Sequence, residues 1–169
     1  SMQVMADGNL LLSFRHLNQV MKIDRQSGEV IWRLGGRRSS FDFVDDPLGG
    51  PCAQHTAREL ANGDIQVFDN GSAPEPAPSA ALCPAAGDPE AQVYRPASRV
   101  TVYRLDEAAG AAQLVQSREV GAFSQFAGSA QRLGANTLDD HVLVGLNNAQ
   151  GVPDGGDAPD ALELDAEGD

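Results

Sequence analysis

Three histidines, His16, His55 and His141, give this chain its candidates for nucleophilic or acid–base chemistry near neutral pH, where imidazole titrates. Guanidinium groups suit developing anionic charge, and three arginines sit close to strand-like runs: Arg15, Arg58 and Arg99. Arg15-His16 closes the run Leu10-Leu11-Leu12-Ser13-Phe14, and Gln54-His55-Thr56-Ala57-Arg58 opens another. Gln54 and Asn70 add neutral hydrogen-bonding groups. An isolated histidine is more often a satisfied structural residue than a catalyst. That plain reading applies most strongly to His141, which begins an alternating strand. Asp69 either orients a neighbouring imidazole or caps the turn before Gly71, and the turn is favoured. Arg99 is open between a site role and an ion pair at a strand start.

Short strands must position these residues. Gly8-Asn9 leads into Leu10–Phe14, Gln19–Asp24 follows, and a turn ending at Gly28 leads into Glu29–Leu34. This is the pattern of an antiparallel meander, β-rich runs bounded by Asp, Asn or Gly. The grammar returns after Asn62-Gly63 and again after Asp139-Asp140. Strand, Asp, short turn, Gly and strand recur at Asp24, Asp106 and Asp165, so the chain repeats a hairpin unit. Ala57-Arg58-Glu59-Leu60 has helical propensity, but the tight turn at Asn62-Gly63 favours a strand.

The expectation is an all-β chain of about three consecutive four-stranded antiparallel β-propeller blades, the first and last incomplete. It places a first blade at 7–34 lacking its leading strand, a loop at 35–53, and a complete blade at 54–120 carrying a long loop at 72–97. An incomplete blade at 127–169 follows, with a Gly/Asp-rich connector from Val152 to Pro159. The whole of 1–169 is read as one partial domain. Its exposed sheet edges are expected to pair with another chain, as in a homo-oligomer, or with further segments of the same protein.

Composition excludes some partners. Twenty-four acidic against 12 basic side chains give a formal charge of -12, which repels phosphate backbones and anionic membranes. No apolar run approaches the roughly 18–20 residues that cross a bilayer, so membrane insertion is not expected. Ser1-Met2 resembles the scar of a cleaved tag. Cys52 and Cys83 are either unrelated thiols or one disulfide stapling a long loop, which would point to an oxidising compartment. Neither has histidines at metal spacing, so no zinc or other metal site is expected.

Six blocks in order carry a family resemblance: Ser13-Phe14-Arg15-His16; Lys22-Ile23-Asp24 with Gly28; Ile31-Trp32-Arg33-Leu34-Gly35-Gly36; Gln54-His55-Thr56-Ala57-Arg58; Phe68-Asp69-Asn70-Gly71; and Ser98-Arg99. The chain resembles the arylsulfotransferase family. That resemblance implies a six-bladed propeller with a central funnel, and sulfuryl transfer from a phenolic sulfate ester to a phenol. It implies histidine chemistry, no nucleotide sulfate donor, no cofactor, and a periplasmic or extracellular, often dimeric, protein. It makes His55 and His16 the catalytic candidates and Arg15, Gln54, Arg58, Asn70 and Arg99 the candidates for binding an aryl sulfate or phenol.

Two family features have no counterpart in this sequence. The His-x-Asn block would precede Ser1, and Ser72-Ala73-Pro74 stands where active members carry an arginine after Asp-Asn-Gly. The alternative expectation is therefore a non-catalytic propeller that binds a ligand or protein through its funnel.

Overall fold

The computed structural model describes residues 1–71, 83–95, 97–147, 149–150 and 159–167. These residues are all-β apart from one turn of 3-10 helix at Arg15–Leu17. The first sheet is a meander of β1 (Met2–Val4), β2 (Leu10–Phe14), β3 (Gln19–Ile23) and β4 (Val30–Leu34). It therefore holds four strands. The expectation of a first unit beginning at residue 7 without a leading strand is corrected by β1, which pairs antiparallel with β2. Three residues are too short to show a periodicity in sequence.

The next strands are β5 (Asp42–Val44), β6 (Ala57–Glu59), β7 (Ile65–Asp69), and a hairpin of β8 (Cys83–Ala85) with β9 (Asp88–Val93). Then come the two longest strands, β10 (Arg99–Asp106) and β11 (Ala111–Glu119). Together they build a second sheet in the order β5-β11-β10-β7-β6. Its antiparallel part matches the expected second unit, and Ala57–Glu59 is a strand as the Asn62-Gly63 turn required. β5 is unforeseen: it lies within 35–53, which was expected to be a loop, and runs parallel along the outer edge of β11.

The remainder comprises β12 (Phe123–Ser124), β13 (Ser129–Arg132), β14 (Val142–Gly145), β15 (Ala149–Gln150) and β16 (Ala161–Leu164). β13, β14 and β16 form a three-stranded antiparallel sheet, and β12 pairs with β15. The connector expected from Val152 to Pro159 lies outside the described residues except for Pro159, as does most of the first half of the 72–97 loop.

The repeated turns have one mechanism. Asp24 Oδ1 accepts the backbone N–H groups of Gln26 (2.9 Å) and Ser27 (2.7 Å), and Asp106 Oδ1 accepts those of Ala108 (3.0 Å) and Ala109 (2.9 Å). Each turn closes on a glycine at positive φ, Gly28 at 76° and Gly110 at 65°. The carboxylate supplies the acceptor that a bare turn lacks, and glycine removes the left-handed penalty.

Two apolar layers join the three sheets. Leu11, Val20, Trp32 and Leu34 of the first sheet pack with Ile65, Val67 and Tyr103 of the second. Phe68 and Val100 of the second pack with Ala130, Val142, Val144 and Leu164 of the third. β7 is buried along its whole length because both its faces are covered. Its one amide, Gln66, is satisfied by donating to the Ala130 carbonyl at 3.1 Å and accepting from Arg132 Nε at 2.7 Å.

Candidate functional site

His55 precedes β6, and both of its ring nitrogens are engaged. The Ala127 N–H donates to Nε2 at 2.8 Å, which fixes the tautomer: Nδ1 carries the proton and donates to Asn70 Oδ1 at 2.7 Å. Asn70 is fully buried and donates in turn to the carbonyls of Ser124 (2.8 Å) and Ala127 (2.9 Å). Burial lowers the His55 pKa and the nearby Arg15 charge lowers it further, against the opposing hydrogen bond to Asn70. The imidazole is thus held neutral between the start of β6 and the turn before β13.

Arg15 reaches the same place from the first sheet. Its guanidinium donates to the Gln125 carbonyl at 3.2 Å and lies 5.6 Å from the centre of the Phe126 ring. Arg15, His55 and Asn70 therefore gather around the segment Gln125–Ala127. Gln54 is fully buried beside them, but its amide N–H groups go to Ser13 Oγ (3.3 Å) and the Phe14 (3.3 Å) and Gln19 (3.0 Å) carbonyls. It ties the first sheet to the second. Among the described residues, its buried Oε1 has no partner.

The other candidates stand elsewhere. Arg58 lines a cleft of about 430 Å³ between the leading strands of the three sheets, with Gln3, Glu59, Gln66, Gln131, Arg132 and Asn136. It donates one N–H to the Ala57 carbonyl at 2.9 Å. Burial, with the neighbouring charge of Arg118, lowers the Arg132 pKa to about 10, which leaves it cationic at neutral pH. His16 is exposed on the 3-10 turn and lines a separate cleft. His141 is exposed and pairs with Glu163 at 2.6 Å. No one described cleft is lined by Arg15, His16, His55 and Arg58 together.

Arg99 begins β10 inside a buried ionic knot. Its Nε donates to Asp69 at 2.9 Å, and its two terminal nitrogens reach the Asp46 carboxylate at 3.0 and 3.1 Å. Tyr103 Oη donates to Asp46 at 2.7 Å. Burial alone would favour neutral groups, but the mutual contacts raise the Arg99 pKa and lower that of Asp46. Asp69 also accepts the N–H groups of Cys52 (2.8 Å) and Gly71 (3.3 Å) and so caps the turn before Gly71.

Cys52 and Cys83 form a disulfide with Cα atoms 5.6 Å apart. It carries the β8–β9 hairpin, and Arg95 fastens that hairpin to the 46–50 loop by donating to the carbonyls of Gly50 (2.7 Å), Leu48 and Pro84 (2.6 Å).

Sequence reasoning did not find Asp46, Tyr103 or Arg132. Asp46 had one signal, its place in Asp45-Asp46-Pro47. Arg132 had none, because its side-chain partners Gln66 and Gln116 lie far away along the chain and its nearer partners, Leu138 and Asp140, offer only backbone carbonyls.

No curated protein matches the chain. The Arylsulfotransferase (ASST) family matches residues 1–156, which takes in the first two sheets, β12 to β15 and every candidate residue described above. With an all-β fold and the six blocks in order, the chain belongs to the arylsulfotransferase family.

Proposed function

We propose that this protein binds aryl sulfate esters and transfers their sulfuryl group to a phenol without a nucleotide donor. In this reading the three sheets are consecutive blades of a six-bladed propeller, and the cleft at Arg58 is part of its central funnel. The observation that carries the proposal is the family match from 1 to 156 over a chain that brings Arg58 and Arg132 to one cleft at the leading strands. The Arg58 guanidinium there suits the sulfuryl oxygens, which gain charge as the bond to the leaving phenolate breaks, while Arg132, already bonded to Gln66, Gln116 and the Leu138 and Asp140 carbonyls, adds its charge.

His55 is neutral, with its Nε2 lone pair turned to the Ala127 N–H. His55 lies beside the Arg58 cleft, next to its lining residue Thr56, and an acceptor phenol that reaches from the cleft and displaces this N–H gives its proton to Nε2. The phenolate oxygen attacks sulfur, the donor S–O bond breaks, and the departing phenolate recovers the proton. The disulfide supports an oxidising compartment, periplasmic or extracellular.

A second reading, ligand binding without catalysis, is favoured by the fact that both His55 nitrogens are already bonded within the protein. Incubation with 4-nitrophenyl sulfate and a phenol acceptor separates the two. The enzyme reading expects 4-nitrophenolate release that His55→Ala abolishes. Release no greater than the blank, with binding of the ester retained, leaves the binding reading.

A further inference from the structure

The cleft that His16 lines has a character of its own. It measures about 440 Å³ and lies between the 3-10 turn, β3 and the chain leaving β4. Its polar wall is formed by His16, Arg33, Arg37 and Arg38, and its apolar wall by Leu17, Met21 and Pro84. Among the described lining residues there is no Asp or Glu. This is contrary to the chain as a whole, in which 24 acidic side chains outnumber 12 basic ones. A random patch of such a surface would be anionic. Here Arg33 and Arg38 converge instead, and their mutual repulsion is relieved by an anion.

The guanidinium groups of Arg33 and Arg38 have no hydrogen-bond or ion-pair partner among the described residues. Arg33 is half-buried on β4 and Arg38 is exposed at the mouth. Two features hold the shape. The backbone of Gly35-Gly36 is pressed against the Leu17 and Asn18 carbonyls. Pro84 is held over the cleft by the disulfide at its neighbour Cys83 and by the Arg95 bond to its carbonyl.

We propose that this cleft is a second binding site, separate from the funnel, for a small organic anion with a flat apolar body, an aryl sulfate or aryl carboxylate. Arg33 and Arg38 take the charged oxygens, and Leu17, Met21 and Pro84 pack the ring. Inorganic sulfate fills the charge requirement alone and binds more weakly. The proposal does not rest on sulfuryl transfer.

The test uses the full chain with 13C-labelled methionine methyl groups, in an Arg58→Ala background that weakens the funnel. Titration with 4-nitrophenyl sulfate, 4-nitrobenzoate and inorganic sulfate follows Met21, which lines the cleft, while the buried Met5 methyl reports an intact core. Both aryl anions are expected to shift Met21 saturably and leave Met5 in place. Arg38→Ala and Arg33→Gln are each expected to weaken that binding at least tenfold. Which aryl anion binds more tightly identifies the charged group that the site prefers. An unmoved Met21, an affinity unchanged by both arginine variants, or inorganic sulfate binding as tightly as the aryl anions would overturn the proposal.

Discussion

The partners of His55 decide both its tautomer and its response to acid. The folded protein binds a proton at this imidazole less readily than the unfolded chain does, because burial and Arg15 depress the folded pKa below 6.5. Stability linked to His55 is therefore complete above about pH 6.5 and is lost as pH falls through the lower folded value. Asp46, held below the usual carboxylate range, keeps its contribution until more acid pH, so the two windows are separate. The urea midpoint is expected to fall between about pH 7.5 and about pH 5, and His55→Gln is expected to reduce that fall. An equal fall in the variant would remove His55 as its source. The histidine itself was legible from its setting in Gln54-His55-Thr56-Ala57-Arg58. Its partner Ala127 was not, because an N–H 72 residues away leaves no mark on local spacing.

At the level of elements, the Gly35-Gly36 pair explains its own sequence. These residues have φ of 83° and 67°, and an added Cβ would stand 2.7 Å from the Asn18 carbonyl oxygen and 2.4 Å from that of Leu17. Gly36→Ala therefore meets both conformational strain, about 1–3 kcal/mol, and a backbone clash. Gly63 has φ of 87° but open space around its missing Cβ, so Gly63→Ala meets the strain alone. Thermal melts are expected to show the larger loss for Gly36→Ala. Similar losses would mean that the chain leaving β4 can move away from the 3-10 turn. Turns such as Asp24 to Gly28 were readable because their hydrogen bonds span two or three residues. β1 and β5 were not, because each is three residues long and depends on a partner strand for its identity.

Across the whole molecule, three sheets are stacked by two apolar layers, and β4 and β16 each pair on one side only among the described residues. Unpaired edges offer a row of N–H and C=O groups to another strand. Sedimentation at rising protein concentration is expected to show an average mass that climbs above the monomer value. A monomer at every concentration would show that these edges are protected. The all-β class and the four antiparallel strands of the second sheet were legible in the sequence, since turn residues and alternation are local. The ionic knot at Arg99 was only half legible: a strand-start ion pair was one reading, but the loop carboxylate of Asp46 belongs to a distant segment.

The parallel strand β5 has a consequence for the order of assembly. Asp42–Val44 leaves the ribosome well before Ala111–Gln113, the segment that it pairs with. It must wait, tethered to the first meander, until the last long strand of the next is laid down. Its docking then seals one sheet with a piece of chain drawn from the other. The first sheet has all four of its strands paired without β5, whereas the second keeps an open edge at β11 until that early segment docks.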